Sequence, residues 1–410
     1  MATGRKGPAV DGKALLKYGI GLALLGWVIF ANWDDRFDPL AASKNLVESQ
    51  QAILNGDPLP EPYTATPGLR AVLQRPIQWL PLVTAAIVCA LATLLTFVRW
   101  YLLVRAQDLP FSLRNAMRLG LVGYYFNTFL PGSVGGDLLK AVAISREQTR
   151  RTVAVATVMI DRAIGLWGLL WFVGGLGAIF WWLGDPMFAN VQIQSLVRRA
   201  LWLLGISVVG WILLGFLPQR RADRFAGRLL SIPKLGNSLA ELWRAVWMYR
   251  QKPKAVAVAL VLSMVGHIGF VLTFHLAARV FATGDPNQAA GTLAEHFLIV
   301  PVGMIVLALF PTPGGVGGGE AAYAWLYTSM LGRAGVIGVL GCLAQRLITL
   351  GLGLIGYIVY LRMKTVDPQA MATPSSEVPV DAPADTPNGA SAGATDSEPS
   401  APQQVRADSV

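Results

Sequence analysis

The sequence predicts an all-α polytopic membrane protein, and three observations lead to this fold class. Of the 410 residues, 54% are hydrophobic and only 14% are charged, whereas soluble domains carry about 25% charged residues. Several apolar runs reach the roughly 20 residues that a helix needs to cross a bilayer. Two glycine-rich stretches that each contain a carboxylate interrupt these runs, NTFLPGSVGGDLLK at 127–140 and PTPGGVGGGEAAYA at 311–324.

The first apolar run, Ala14–Ala31, follows three basic residues and is too long for the core of a secretory signal. No small-residue cleavage site follows it directly, so we expect an uncleaved first transmembrane helix that leaves the cytoplasm. The connection 32–78 is slightly acidic and rich in proline, which predicts a loosely structured outer loop. The run Trp79–Val98 then returns the chain to the cytoplasmic side.

The first glycine-rich stretch has basic residues on both sides, such as Arg99 and Arg118 before it and Lys140 and Arg146 after it. Basic flanks are typical of cytoplasmic loops. A single crossing would place one flank outside, so we predict a re-entrant hairpin that turns at 131–136. Irregular backbone is tolerated at membrane depth only where protein or a water-filled cavity surrounds it.

Two crossings follow, at Thr152–Leu183 and Leu201–Leu217, and lead into a strongly basic loop. This loop up to Lys254 carries nine basic and two acidic residues, which predicts a cytoplasmic position. Its apolar residues recur at helical spacing between Leu239 and Trp247. The segment is either an interfacial helix on anionic headgroups or an amphipathic connector without lipid selectivity.

The rest of the membrane region contains crossings at Ala255–Phe281 and Ala334–Leu361, with Leu293–Phe310 leading into the second glycine-rich stretch. The last run ends at Arg362 and Lys364, which predicts a cytoplasmic C-terminus. The number of crossings agrees with this only if the second stretch is also a hairpin, entered from outside. The expected architecture is therefore about six full crossings plus two hairpins within an integral membrane domain, 1–364, with both termini cytoplasmic. The remainder, 365–410, is rich in Pro, Ala, Ser, Thr and acids and predicts a disordered acidic tail.

The two glycine-rich stretches align with each other, and so do the residues that follow them. Arg162 lies 25 residues after Asp137, and Arg346 lies 26 residues after Glu320. At about 1.5 Å per residue, the two arginines are roughly 15 Å and 18 Å inside their helices, approached from opposite sides.

This pattern predicts an inverted repeat of helix–re-entrant hairpin–helix units, at about 79–183 and 255–361. Inverted repeats with broken helices at the midplane are typical of secondary transporters. Pro131 and Pro313 would then form the gate or hinge of the two hairpins.

Charged side chains near the membrane centre are costly, so they are normally paired or face a cavity. In one interpretation the candidate residues form buried ion pairs that hold the hairpins in place. In the other they bind an anionic headgroup, which guanidinium groups and exposed glycine N–H groups suit. The candidate substrate-binding residues are Arg162, Arg346, Asp137, Glu320, Asn127, Gly135, Gly136, Gly317 and Gly318, with Asp161 as a further midplane charge.

Other classes of function find little support in the sequence. The glycine-rich stretches lack the Lys-Ser/Thr of a P-loop and no strand precedes them. The basic residues gather at the ends of apolar runs, so we expect no nucleic-acid partner. The three histidines are too dispersed for a metal site and fit packing better than a proton relay, and Cys89 and Cys342 lie in apolar segments. We expect no cofactor, no metal and no enzymatic activity, because no nucleophile or metal-binding acidic pair stands out at a membrane face.

Four motifs together resemble the flippase-like transmembrane domain of lysylphosphatidylglycerol synthases and their stand-alone relatives. They are NTFLPGSVGGDLLK (127–140), the DR of MIDRAIGL (159–166), PTPGGVGGGEAAY (311–323) and QRL (345–347). The resemblance spans about Trp79 to Leu361. It implies a protein of the cell membrane, such as the bacterial inner membrane, that moves a phospholipid or glycolipid headgroup between leaflets. No soluble synthase domain is recognisable, so synthesis of a lysyl lipid is not implied.

The expected function is therefore a lipid translocator whose substrate is an anionic phospholipid or glycolipid. Arg162 and Arg346 would hold the phosphate, while Asp137 and Glu320 would support or switch the hairpin tips. The alternative is a non-transporting membrane subunit that scaffolds a lipid- or glycan-modifying enzyme. This alternative predicts that the midplane charges matter only for folding.

Overall fold

The computed structural model describes residues 12–35, 39–60, 67–130, 135–233, 236–282 and 290–366. Every regular element in these ranges is a helix, and no strand occurs in them. The helices are α1 (Gly12–Ala31), α2 (Pro39–Asn55), α3 (Leu69–Leu73), α4 (Trp79–Ala106), α5 (Leu113–Phe129), α6 (Gly135–Glu147), α7 (Arg151–Trp171), α8 (Gly177–Trp182), α9 (Val191–Phe216), α10 (Gln219–Leu230), α11 (Gly236–Tyr249), α12 (Pro253–Ala277), α13 (Leu293–Leu309), α14 (Gly318–Trp325) and α15 (Gly335–Val366).

Five helical segments of the described chain are long and apolar enough to cross a membrane, which confirms a multi-pass membrane protein. They are Trp79–Ala106, Arg151–Trp182, Val191–Phe216, Pro253–Ala277 and Gly335–Met363. The second of these joins α7 to α8 through one π-helical turn, Phe172–Leu176. The predicted first crossing is a helix, but its apolar part, Leu15–Ala31, is shorter than these five, so a sixth crossing stays a prediction.

Two predictions about local structure were wrong. The connection 32–78 is not a loosely structured loop, because it contains the 17-residue helix α2 and the short helix α3. The interior of α2 has neither proline nor glycine, so nothing local interrupts it. The helix predicted from Leu201 begins ten residues earlier, at Val191, where the Asn190 side chain accepts a hydrogen bond from the N–H of Gln192. The Arg198–Arg199 pair is exposed and does not end this helix.

The basic loop that follows α9 is largely helical. Its predicted amphipathic helix is present as α11, and a second helix, α10, was not foreseen. In α10 the side chains of Ala222 and Ala226 are buried while the arginines are exposed. The small size of the two alanines lets α10 pack closely against α11. The helix therefore needs no stripe of large apolar residues, which is the pattern that would have predicted it from the sequence.

The centre of the fold is formed by α4 and α12, which pack along each other, with α7 against both. Two pairs of shorter helices pack beside this centre, α5 with α6 and α13 with α14. α1 contacts α14 and the 3₁₀ turn Pro313–Gly315 that precedes α14. The glycine-rich stretches therefore lie at the junctions of the short helices, while Pro131 and the predicted tail lie outside the described residues.

Candidate functional site

A cavity of about 390 Å³ is lined by α4–α7 of the first predicted repeat unit and by α12, α13 and α15 of the second. It brings four of the predicted site residues together. Its wall includes Asn127 from α5, Asp137 from α6, Arg162 from α7 and Arg346 from α15. These residues come from both predicted repeat units. The sequence pattern therefore identified side chains that share one cavity, although they are up to 219 positions apart in the chain.

Asp137 is the polar centre of one side of this cavity. Its Oδ2 lies 3.1 Å from Nη1 of Arg162, and its Oδ1 lies 2.9 Å from Nζ of Lys140. The Asp137 and Lys140 side chains are almost buried, whereas 37% of the Arg162 side chain is exposed. Arg162 is thus the member of this group that is most open to a ligand.

Asn127 connects the end of α5 to the start of α6. Its Oδ1 accepts a hydrogen bond of 2.8 Å from the N–H of Gly136, and its Nδ2 lies 3.4 Å from Oδ1 of Asp137. Gly136 is buried so closely against α5 that a Cβ there would lie 1.7 Å from the carbonyl oxygen of Gly123. A Cβ at Gly135 would lie 2.9 Å from Leu130. The two glycines allow α5 and α6 to approach each other, and the N–H of Gly136 is already used by Asn127.

Glu320 and Arg346 form the matching pair of the second glycine-rich stretch. Oε1 of Glu320 lies 2.7 Å from Nε of Arg346, and the Glu320 side chain is 0% exposed. Oε2 of Glu320 accepts a 2.8 Å hydrogen bond from the N–H of Gly317, and Nη1 of Arg346 donates to the carbonyl of Gly314. These contacts fasten α15 to the turn before α14, so Glu320 acts from behind the cavity wall.

The turn that Glu320 holds depends on glycine. Gly314, Gly315 and Gly317 have φ angles of +54°, +67° and +82°, which side-chain-bearing residues rarely adopt. Gly318 packs on Phe310, where a Cβ would lie 2.4 Å from the ring. Pro313 is buried within this turn. A Cβ at Gly314 would lie 3.2 Å from the carbonyl oxygen of Thr128, so the second stretch meets the first at the end of α5.

The structure adds Arg99 to the candidate residues. Nε of Arg99 lies 2.7 Å from Oδ1 of Asp161, Nη2 donates to the Asp161 carbonyl, and Nη1 donates to Ser263. In the sequence Arg99 was assigned to a cytoplasmic flank, but α4 continues to Ala106. The apolar residues WYLLV that follow Arg99 were the signal that the helix continues past it.

Lys140 is the second functional residue that sequence reasoning assigned only to a basic flank. It lies one helical turn after Asp137, so the (i, i+3) spacing on a helix could have identified the pair. With Lys140 and Arg99 included, four cationic side chains share three carboxylates, those of Asp137, Asp161 and Glu320. Among the side chains that the structure describes, this cluster therefore has one more positive than negative charge.

The donors on Arg346 are also incompletely used. Its Nη2 is buried and has no hydrogen-bond partner in the described structure. An unsatisfied buried donor costs about 1–3 kcal/mol, and more when the group is charged. Because Arg346 lines the cavity, a bound acceptor could satisfy this nitrogen.

The histidines do not form a metal site in the part of the chain that the structure describes. His267 lines the cavity and lies within hydrogen-bond distance of Ser263 and of the Gly165 carbonyl. His275 and His296 contact each other elsewhere. Within the described ranges no three histidine, cysteine or acidic side chains lie close enough to hold a metal ion.

Comparison with known proteins identifies the family. Residues 67–356 match the family model described as the lysylphosphatidylglycerol synthase TM region, and this range includes all of the cavity residues. Searches of curated proteins and of solved structures find no match. The matched range covers well over half of the chain, so the protein belongs to the lysylphosphatidylglycerol synthase TM region family.

Proposed function

We propose that the protein is a lipid translocator that binds the anionic headgroup of a phospholipid or glycolipid in the cavity and moves it between leaflets. The observation that carries the proposal is the single excess positive charge of the cavity cluster. A headgroup phosphodiester carries one negative charge and would balance it. No chemical step on the lipid is part of this proposal, and no cofactor is required.

The cavity residues divide into two roles. Arg162 is partly exposed and shares its carboxylate with Lys140, so its guanidinium group is accessible to a phosphate. Arg346 can offer Nη2 while its other nitrogens keep the turn in place. Guanidinium groups bind phosphate through paired, charge-assisted hydrogen bonds, each contributing about 1.5–3 kcal/mol. Asp137 and Glu320 position these cations, and Asn127 and the glycines position Asp137 and the turns.

The lengths of the helices support the inverted repeat that this mechanism uses. In the first unit α5 has 17 residues, α6 has 13 and the span that follows has 32. In the second unit α13 has 17, α14 with its π-turn has 8 and 5, and α15 has 32. Each unit also pairs the acid after its glycines with the arginine about 25 residues later. We propose that α5–α6 and α13–α14 are the two re-entrant hairpins.

This arrangement suggests how a headgroup could pass. In transporters built from inverted repeats, one repeat rocks against the other around a fixed central site. The cavity is lined by both units, and the turn at Gly314 lies against the end of α5. We propose that opening on either side of this contact exposes the cavity to one leaflet at a time, while the acyl chains stay in the bilayer of the cell membrane.

Leaflet exchange of fluorescent lipids in liposomes tests the proposal. Exchange of an anionic phospholipid should fall at least about tenfold in Arg162→Gln, because one charge-assisted contact is lost. Arg151→Gln is the matched control, since Arg151 lies on the same helix but is exposed and outside the cavity. It should transport like wild type.

Two results would contradict the translocator proposal. One is wild-type exchange in Arg162→Gln. The other is absence of protein-dependent exchange of every phospholipid and glycolipid offered, in correctly folded protein. The second result would favour the non-transporting subunit, for which a lipid- or glycan-modifying enzyme is the proposed partner.

A further inference from the structure

A second cavity lies on the opposite side of α7 from the charged one. It has a volume of about 350 Å³ and is bounded by α7, α9, α11 and the start of α12. Its lining is almost entirely apolar and includes the three tryptophans Trp167, Trp211 and Trp243. Its α7 residues, such as Ile160 and Ile164, differ from those that face the charged cavity.

Hydrogen bonds fix two of the three indole rings of this tryptophan pocket, those of Trp167 and Trp243. Nε1 of Trp167 donates to Oγ of Ser207 over 3.0 Å, which ties α7 to α9. Nε1 of Trp243 donates to the carbonyl of Ala222 over 3.0 Å, which ties α11 to α10. With these polar atoms satisfied by the protein, the rings offer only apolar surface to an occupant.

Helix α10 adjoins this pocket at Trp243, which lines the pocket and contacts α10. The Phe225 ring on α10 packs on Trp243, with 4.6 Å between the ring centroids. Arg220, Arg224 and Arg228 recur every four residues, so they form one stripe along α10. All three are exposed, and no ion pair within the described ranges involves them.

We propose that the tryptophan pocket and the arginine stripe together bind one anionic glycerophospholipid of the surrounding bilayer. One acyl chain fills the pocket, and the phosphate lies on the stripe formed by Arg220, Arg224 and Arg228. The apolar lining matches a hydrocarbon chain and the exposed arginines match a negative headgroup, so both ends of the ligand are specified. Because none of α9, α10 and α11 lines the charged cavity, this site is independent of the proposed transport path.

Gly210 allows the pocket to be filled without disturbing its walls. It lines the pocket on α9, and a Cβ there would meet nothing within 4 Å. Gly205 lies on the same helix, also has open space around it and does not line the pocket. Gly205→Leu is therefore a matched control for Gly210→Leu, since both replacements change helix propensity in the same way.

The test uses the full-length protein in detergent, with phosphatidylglycerol and phosphatidylcholine of identical acyl chains as probes. Bound lipids are counted by native mass spectrometry, and the dissociation constant is measured by titration. In addition to any lipid held in the charged cavity, wild type and Gly205→Leu should bind one phosphatidylglycerol more tightly than phosphatidylcholine. Gly210→Leu should lose this additional lipid and keep any lipid of the charged cavity. In the triple variant R220Q/R224Q/R228Q the additional phosphatidylglycerol should bind roughly 10- to 100-fold more weakly, and this site should then bind both lipids equally.

Three results would overturn the proposal. Gly210→Leu could bind lipid like Gly205→Leu, which would place the lipid elsewhere. Wild type could bind the two lipids equally, which would remove the role of the arginines. Gly210→Leu could change the oligomeric state while lipid binding stays the same, which would assign the pocket to contact with a second copy of the chain.

Discussion

Asp137 and Arg162, which are 25 residues apart in the sequence, form an ion pair in which Oδ2 and Nη1 lie 3.1 Å apart. Lys140 approaches the other carboxylate oxygen of Asp137. One carboxylate thus serves two cations at the wall of a cavity, and this imbalance is the source of the excess positive charge. The corresponding acid of the second unit, Glu320, is buried, pairs with one cation, Arg346, and also accepts a hydrogen bond from the N–H of Gly317. The acid pairs with two cations in the first unit and with one in the second.

Replacement of Asp137 by asparagine should make the cavity bind anionic lipid more tightly. The variant removes the carboxylate that pairs with both Lys140 and Arg162, and a charge at about 4 Å is worth up to about 4 kcal/mol at an effective dielectric constant of 20. We expect affinity for phosphatidylglycerol to rise at least about tenfold and exchange to slow, because release becomes harder. Titration and leaflet exchange measure the two quantities.

Asp108→Asn provides the control for this change in charge. Asp108 is exposed, lies outside the cavity and has a φ of +58°, which asparagine tolerates. It adds the same unit of net charge without affecting the site. Equal affinity in Asp137→Asn and wild type would show that the Asp137 region does not contact the headgroup.

Replacement of Glu320 by alanine should destabilise the protein strongly. Removing one partner of a buried ion pair typically costs about 3–5 kcal/mol, because the other charge remains buried and unpaired. The same change frees the N–H of Gly317. Thermal unfolding in detergent should show a large decrease in Tm. Glu295→Ala is the comparison, since Glu295 pairs with Arg333 at a less buried position.

A double variant separates the charge from the packing. Glu320→Gln combined with Arg346→Met leaves no unpaired charge and should be more stable than Glu320→Ala. If the double variant is less stable than the single one, the ion pair itself contributes net stability. In that case our account of a buried pair that mainly holds the turn would be wrong.

Gly136→Ala should separate α5 from α6. A Cβ at this position would lie 1.7 Å from the carbonyl oxygen of Gly123, so the backbone must move. Overpacking of this kind typically costs about 1–3 kcal/mol, and it would displace Asp137 at the next position. We expect a lower Tm together with reduced lipid exchange.

Gly205→Ala is the control for the loss of a glycine, because nothing lies within 4 Å of a Cβ there. Alanine in an open helical position should leave the stability unchanged or raise it by up to about 1 kcal/mol. A similar loss in both variants would mean that α5 and α6 are not held together by the close approach at Gly136.

Thiol labelling can show whether the charged cavity admits water. Thr349 lines the cavity on α15, whereas Leu347 is 64% exposed on the outer surface and does not line it. In a background without Cys89 and Cys342, Thr349→Cys should react with a charged, water-soluble thiol reagent. Bound anionic lipid should slow this reaction.

Leu347→Cys should react with a lipophilic maleimide and poorly with the charged reagent, because its surroundings are the bilayer. Equal reactivity of the two cysteines toward the charged reagent would contradict a separate aqueous cavity. The labelling is measured by the mass shift of the purified protein.

Local patterns were sufficient where a property depends on neighbouring residues. The apolar runs predicted the long helices, and the repeated acid-to-arginine spacing predicted Asp137, Arg162, Glu320 and Arg346. The family resemblance rested on the same motifs and agrees with the family match. The start of α9 and the existence of α2 were missed, since arginine and proline residues suggested boundaries that capping and helix propensity overrode.

Partner choice could not be read from the sequence, because it depends on which helices meet. Arg99 looked like a flanking charge until α4, α7 and α12 placed it between Asp161 and Ser263. The requirement for glycine at position 136 could not be predicted either. It arises only because the backbone of Gly123 leaves no room for a Cβ there.

The sequence by itself determined that the chain enters the membrane several times and that two acids and two arginines recur in a fixed order, because hydropathy and spacing are local properties. Only the tertiary structure decided that Asp137, Arg162 and Arg346 line one cavity, with Glu320 behind its wall. It also decided that the tryptophan pocket lies on the other side of α7 from this cavity. Both arrangements depend on distances between side chains that are far apart in the sequence, and only the packing of the helices sets those distances.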